Sequence, residues 1–260
     1  MTGGISLLRL PERRSGQGAQ QRPLIVELVG PAGAGKTALL RAIGGRDEHI
    51  RPGLRIDRLR FLPMMVRHTI ALAPTGFELM RRSPRSWWPA MRHLLRLRTL
   101  PGVLARETSP AYRAIMLDEG PVFSLSRLSV FHDACMGNGR LARAWRTALD
   151  AWAVGLDAIV WLDAPNPVLA QRIRGRVKAH RVKDKTDREV FEFLDRYRSA
   201  FREVLTRLTT TSRVRLVWVD TAAESVDQAA TRILDVLGQL RRPGKAAGDR
   251  RGDGSPCDTE

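Results

Sequence analysis

Four short apolar runs punctuate the chain: Leu24–Val29, Ala114–Leu117, Ala158–Leu162 and Val214–Val219. Each has the length of a strand, and each is too continuous for an element with one wet face, as expected of strands buried on both sides of a parallel sheet. Leu54–Leu59 is a weaker fifth candidate, because it carries Arg55, Asp57 and Arg58. Helical patterns lie between these runs. The clearest covers Arg188 to Leu208, where Phe191, Leu194, Phe201, Val204, Leu205 and Leu208 recur at helical spacing. Asp187 reads as its N-cap, and the hydroxyl-rich break from Thr209 to Ser212 reads as its end. Strands alternating with helices predict a three-layer α/β fold, with ligands outside the carboxyl ends of the strands.

The polar stretches at the two ends set the boundaries. Residues 1–22 mix Gly, Gln, Ser and Arg without periodicity, and residues 241–260 form a second polar tail, which leaves one domain over 23–240. With 260 residues and 43% hydrophobic content, the chain suits a single α/β unit. The most apolar region, Phe61 to Met80, is interrupted by Arg67, His68 and Glu78, so no spanning helix is expected. The basic N-terminus surrounds too short an apolar patch for a secretory signal. Cys135 and Cys257 are far apart and support neither a metal cluster nor a disulfide framework, which makes a reducing cytoplasm the expected compartment.

Gly30 to Thr37, Gly-Pro-Ala-Gly-Ala-Gly-Lys-Thr, fits the pattern G-x-x-x-x-G-K-[ST] and stands directly behind the first strand. Gly30, Gly33 and Gly35, with Pro31, Ala32 and Ala34 between them, let the backbone turn its N–H groups around phosphate oxygens. Lys36 supplies a point charge toward the outer phosphates. Thr37 opens a helix with Ala38 behind it and offers its hydroxyl to Mg²⁺. These residues predict a bound nucleoside triphosphate, with ATP and Mg²⁺ as the expected cofactors.

Two further sites belong to the same sheet edge. Asp118 and Glu119 follow the Ala114 strand at once, which places Asp118 to hold Mg²⁺ directly or through water. Glu119 is open to two readings, orienting or deprotonating a nucleophile, or capping the helix that begins near Pro121. After the Ala158 strand, Asp163-Ala164-Pro165-Asn166-Pro167 leads into a helix from Val168 to about Val177, on which Arg172 and Arg176 share a face. Lys178, Arg181, Lys183 and Lys185 continue the charge. Such a segment, about 176–187, reads as a basic lid over a transferring phosphoryl group.

Together the phosphate loop, Asp118, the Leu162–Pro165 turn with Arg172 to Arg176, and the terminal Val217–Thr221 strand end resemble thymidylate kinase and the related deoxynucleoside and nucleoside-monophosphate kinases. The resemblance implies a three-layer P-loop NTPase fold with a five-stranded parallel sheet, a helical insert (about 64–112) and a lid. It implies that Arg172 and the loop at Thr221 border adenine, that Arg176 and Arg181 contact phosphates beside the catalytic Lys36 and Glu119, and that the protein is a homodimer. Two positions depart from the family pattern. The family usually places an Arg after the Asp of the third strand to hold the acceptor phosphate, where this chain has Glu119. The acidic motif expected after the second strand is replaced by Leu59-Arg60-Phe61-Leu62-Pro63.

The insert carries the acceptor side in that family, and here it is rich in Arg and Trp. Trp87, Trp88, Met91, Leu94 and Leu95 fall on one helical face, with Arg85, Arg92 and Arg96 on another. Core packing with a solvated Arg face, an acceptor lid, and a contact with a membrane or protein are all compatible with that pattern. A net charge of +17 favours anionic partners in general, and no nucleic-acid-binding motif accompanies it. The expected activity is a small-molecule kinase acting on an unidentified nucleotide, nucleoside or other small acceptor. The alternative is an ATPase that hydrolyses through Asp118-Glu119 and drives a partner.

Overall fold

A computed structural model of the chain describes residues 22–54, 59–136, 139–177 and 179–241. Five strands form one parallel sheet: β1 (Leu24–Val29), β2 (Ile50–Pro52), β3 (Ala114–Leu117), β4 (Ala158–Asp163) and β5 (Arg215–Asp220), in the order β2-β3-β1-β4-β5. Around it lie α1 (Lys36–Arg46), α2 (Leu62–Arg82), α3 (Trp87–Glu107), α4 (Pro121–Met136), α5 (Arg140–Gly155), α6 (Asn166–Arg174), α7 (Asp187–Thr211) and α8 (Val226–Arg241). Strand alternation divides the core in two. Leu24, Val26 and Leu28 of β1 pack with α1, α6 and α8, whereas Ile25 and Val29 pack with α3, α4, α5 and the second half of α7. This is the three-layer α/β architecture that the alternating pattern predicts, and the P-loop NTPase fold that the resemblance implies.

The central strands run as expected, with small shifts at their ends. β4 continues to Asp163, and the last strand starts one residue later than predicted and ends at Asp220. The second strand is a correction. Ile50-Arg51-Pro52 pairs with Ala114–Met116, whereas of the expected Leu54–Leu59 run Leu54 is in no strand, residues 55–58 lie outside the described residues, and Leu59–Phe61 is a 3₁₀ turn. Edge position explains the misreading, since a strand paired on one side tolerates Pro52 and needs no continuous apolar run.

The helix termini differ in ways that side-chain oxygens explain. Thr186, not Asp187, caps α7: its hydroxyl accepts from the Glu189 N–H, and the Glu189 carboxylate accepts from the Thr186 N–H at 3.0 Å, a reciprocal capping box. The same helix runs through Thr209 to Thr211 instead of stopping there. Hydroxyls of Thr209, Thr210, Thr211 and Ser212 bond back to carbonyls of the preceding turn, so these residues satisfy themselves within the helix. The helix after β4 is shorter than expected. α6 ends at Arg174, so Arg172 and Arg176 do not share a helical face.

Arg198, in register with Leu194 and Phe201 on the buried stripe of α7, ties the layers together. Its guanidinium donates to Asp163 (2.8 Å), Asp195 (2.8 Å), Asn166 and the Ala164 carbonyl (2.7 Å), fixing the turn after β4. An Arg198→Ala variant leaves the half-buried Asp163 carboxylate without its cation and is expected to lose about 2 kcal/mol in a urea titration.

Candidate active site

The loop after β1 depends on glycine where side chains have no room. Gly30 has φ +147, and a Cβ there would lie 2.0 Å from the Leu162 carbonyl oxygen; Gly33 has φ +87, and its Cβ would lie 2.9 Å from the Leu169 carbonyl oxygen. The loop is thus pressed against β4 and α6, and it leads directly into α1 at Lys36. Lys36 Nζ donates to the Gly30 and Pro31 carbonyls at 2.8 and 3.0 Å. Burial lowers its pKa from 10.5 to about 8; Asp118 and Glu119 act to raise it, and Arg176 reinforces the fall.

A cavity of about 740 Å³ opens over this loop. Lys36, Thr37, Asp118 and Glu119 line its floor, and Arg176 and His180 come from the segment after α6. The structure therefore brings the phosphate loop, both carboxylates and Arg176 into one space. Thr37 and Asp118 both line the cavity and supply hard oxygen donors of the kind Mg²⁺ takes. Arg172 and Thr221 also meet, at the neighbouring strand ends: the guanidinium donates to the Thr221 hydroxyl (2.9 Å) and carbonyl (2.8 Å). Arg181 is exposed and lines no part of the cavity, although its charge acts on Tyr197. Lys178 lies outside the described residues. The segment from 179 to 186 forms turns and is anchored by Val182, which is buried in the α1–α6–α8 core.

The opposite wall was not read from the sequence. Phe123 and Arg127 of α4, with Phe193, Tyr197 and Phe201 of α7, line it. Arg127 donates to the Tyr197 hydroxyl and lies 5.5 Å from that ring's centroid and 5.8 Å from that of Phe123. Burial raises the Tyr197 pKa, against the pull of Arg127, so the phenol stays protonated. Burial lowers the His180 pKa, helped by Arg176, Arg127 and Lys36, which keeps the imidazole neutral in a cationic surround. In α7, Phe193 and Tyr197 fall on a stripe beside the core positions that periodicity picked out, and that offset was the available signal.

The insert divides its residues differently from expectation. Met91 and Leu94 are buried, but Trp88 is exposed, and Arg96 turns inward to within 3.7 Å of Glu119. Arg96, Leu100, Gly53 and Leu54 form a smaller cavity of about 180 Å³ with Asp118, Glu119 and Gly120.

Glu27 is a further residue of the site that lies outside the sequence expectations. It lies in the middle of β1 with no exposed surface, and its carboxylate accepts from the Val122 and Phe123 amides, at 2.7 and 2.9 Å, in the first turn of α4. Its pKa is raised to about 8 by burial, against those amides and Arg96. A Cβ at Gly120 would lie 2.7 Å from the Glu27 carboxyl carbon. The chain between β3 and α4 is thereby cornered, and Glu119 stands at φ +80, the one non-glycine residue with positive φ among the described residues. Strain at a carboxylate facing the reaction space suggests a direct exchange of stability for position. Glu119→Gly is expected to raise the thermal midpoint, by up to about 1 kcal/mol of stability, while lowering turnover.

Among solved structures the chain is similar to a deoxyadenosine kinase from M. mycoides with the products dCMP and a flexible dCDP bound, at 14% identity and a TM-score of 0.51, over 84% of this chain and 100% of that one. The YorR protein from Bacillus subtilis, in complex with phosphorylated GDP, aligns at 18% identity and a TM-score of 0.46, over 82% of this chain and 95% of that one. No protein-family model matches, and no curated protein sequence does. At such identities the first likeness concerns the fold, which it shares with the sheet and loop described above.

Proposed function

We propose that this protein is an ATP-dependent small-molecule kinase of the thymidylate kinase-like group, which transfers the γ-phosphoryl group of ATP to a small acceptor. One observation carries the reading: the cavity does not stop at the phosphate loop but continues to an aromatic and arginine wall large enough for an organic acceptor. Hydrolysis alone needs no such annex. In this reading the loop amides and Lys36 hold the donor phosphates, and Arg172 with Thr221 borders the adenine. Thr37 and Asp118 would hold Mg²⁺, which neutralises phosphate charge when bound. Arg176 neutralises charge on the transferring group from the other side, with Arg181 as a further phosphate contact if the basic segment moves inward. Phe123, Phe193 and Tyr197 clasp the acceptor's planar or apolar part, and Glu119 orients its nucleophilic oxygen. Nucleosides and nucleotides suit these walls, with a flat ring against the aromatic side chains and a hydroxyl at the carboxylates or a phosphate at the arginines; the deoxynucleotides bound by the similar deoxyadenosine kinase belong to that chemistry.

Incubation with γ-labelled ATP and a panel of nucleosides, nucleotides and sugars tests this directly. Label transferred to an acceptor supports it, and label released only as phosphate sinks it. The exposed Glu119 side chain beside Asp118 also suits a hydrolytic ATPase, in which Glu119 polarises water. Glu119→Gln separates the two: an ATPase loses hydrolysis and keeps ATP bound, whereas a kinase retains measurable transfer.

A further inference from the structure

Among the described residues, the outer face of α2 carries a run of exposed apolar side chains. Leu72, Thr75, Gly76 and Leu79 turn inward against α3, with Gly76 allowing close approach of Met91. On the far side Leu62, Val66, Ile70, Phe77 and Met80 recur at helical spacing and are each between 43% and 69% exposed. Leu59 precedes them and Trp88 follows, both more than half exposed. A continuous apolar stripe of this kind marks a docking surface. α2 lines no part of the main cavity, so the stripe is separate from the catalytic reading.

Charge selects the occupant. Between Leu59 and Trp88 the chain has five arginines and one carboxylate, Glu78, which is already shared between Arg82 (3.4 Å) and Arg140 (3.8 Å). Arg67 and Arg81 are exposed along one edge of the stripe. A second copy of the chain laid on this face would bring two such sets of arginines together without carboxylates to meet them. An anionic bilayer supplies what both halves of the face need, acyl chains for the stripe and headgroup phosphates for its basic edge. We propose that α2 docks the protein on an anionic phospholipid surface, with Leu62 to Met80 lying in the interface plane. Among the described residues no helix is long and apolar enough to cross a membrane, and a helix lying in the interface requires none.

Sedimentation of the full chain with vesicles provides the test. The protein is expected to pellet with vesicles containing phosphatidylglycerol and to stay in solution with pure phosphatidylcholine, with binding that weakens as salt rises. Replacing both Arg67 and Arg81 by Gln weakens partitioning about thirtyfold, from about 1 kcal/mol for each basic contact. Replacing Ile70 and Phe77 by Glu weakens it by at least about a hundredfold, because two buried side chains are lost. Circular dichroism of all variants should match the parent, since these side chains contact solvent. Absence of pelleting with anionic vesicles overturns the proposal, and so does pelleting untouched by Ile70→Glu/Phe77→Glu, which would assign binding to charge elsewhere. A dimer that these substitutions dissociate, with no vesicle binding, would assign the stripe to a second copy instead.

Discussion

Lys36→Met is expected to cut phosphoryl transfer by about 10²–10³-fold while leaving the fold intact, the usual cost of removing one preorganised charge from a transferring group. The ammonium already lies against the Gly30 and Pro31 carbonyls, so the loop holds it in place before any ligand arrives. Its titration gives a sharper signature. The pKa in the folded chain is lowered from 10.5 to about 8, so between these values the unfolded chain binds the proton more tightly and folding stability rises with pH. Nucleotide binding runs the other way. A triphosphate favours the ammonium, so binding above pH 8 takes up a proton, and affinity falls as pH rises through that value. Calorimetric titration of a non-hydrolysable ATP analogue from about pH 7 to about pH 10 should give a constant dissociation constant at first, then a weakening that approaches tenfold per pH unit. Lys36→Met should bind more weakly and without that dependence. A wild-type affinity that stays flat across the range would show that Lys36 does not carry the proton the phosphates require.

The half proposed for the donor is legible in the sequence because its chemistry is local. A run of eight residues, Gly30 to Thr37, carries the amides, the charge and the hydroxyl, and the strand before it fixes which edge of the sheet they face. Asp118 was found for the same reason, as a carboxylate at a strand end. Strands buried on both faces could be read from their own composition, but β2 could not. Its membership is decided by pairing of Ile50 with Ala114, sixty-four residues away in the chain, not by any apolar run of its own. The half proposed for the acceptor is built from such long-range meetings: Arg127 with Tyr197, Arg96 with Glu119. Arg198 and Glu27 did leave a trace. Each is a charged residue at a position whose neighbours in period are buried, and such a residue in a core must have a partner. The partners are what sequence spacing does not disclose.

Glu27 should be the position where stability and turnover fail together. Glu27→Ala strips the Val122 and Phe123 amides of their acceptors and opens space beneath Gly120, at an expected cost of about 3 kcal/mol. Glu27→Gln keeps the volume, yet the Val122 and Phe123 amides bond to different carboxylate oxygens, so the Gln NH2 sets donor against donor at one of them and a smaller loss is expected. The two variants should also differ from the parent in pH dependence. Because burial raises the folded pKa to about 8, above the unfolded 4.5, the folded chain holds the proton more tightly in that window. The stability Glu27 contributes is therefore full below about pH 4.5 and is lost as pH rises through 8. The thermal midpoint of the parent should fall relative to that of Glu27→Gln between pH 5 and 8, and the midpoints of the two variants should run parallel. Catalysis responds through position: with the first turn of α4 released, Glu119 is no longer held at positive φ beside Arg96, so kcat falls while nucleotide affinity, set on the phosphate loop, changes little. If Glu27→Gln showed the parent's pH dependence and an unaltered kcat, the buried carboxylate would be neither the titrating group nor the anchor of the Asp118–Gly120 turn.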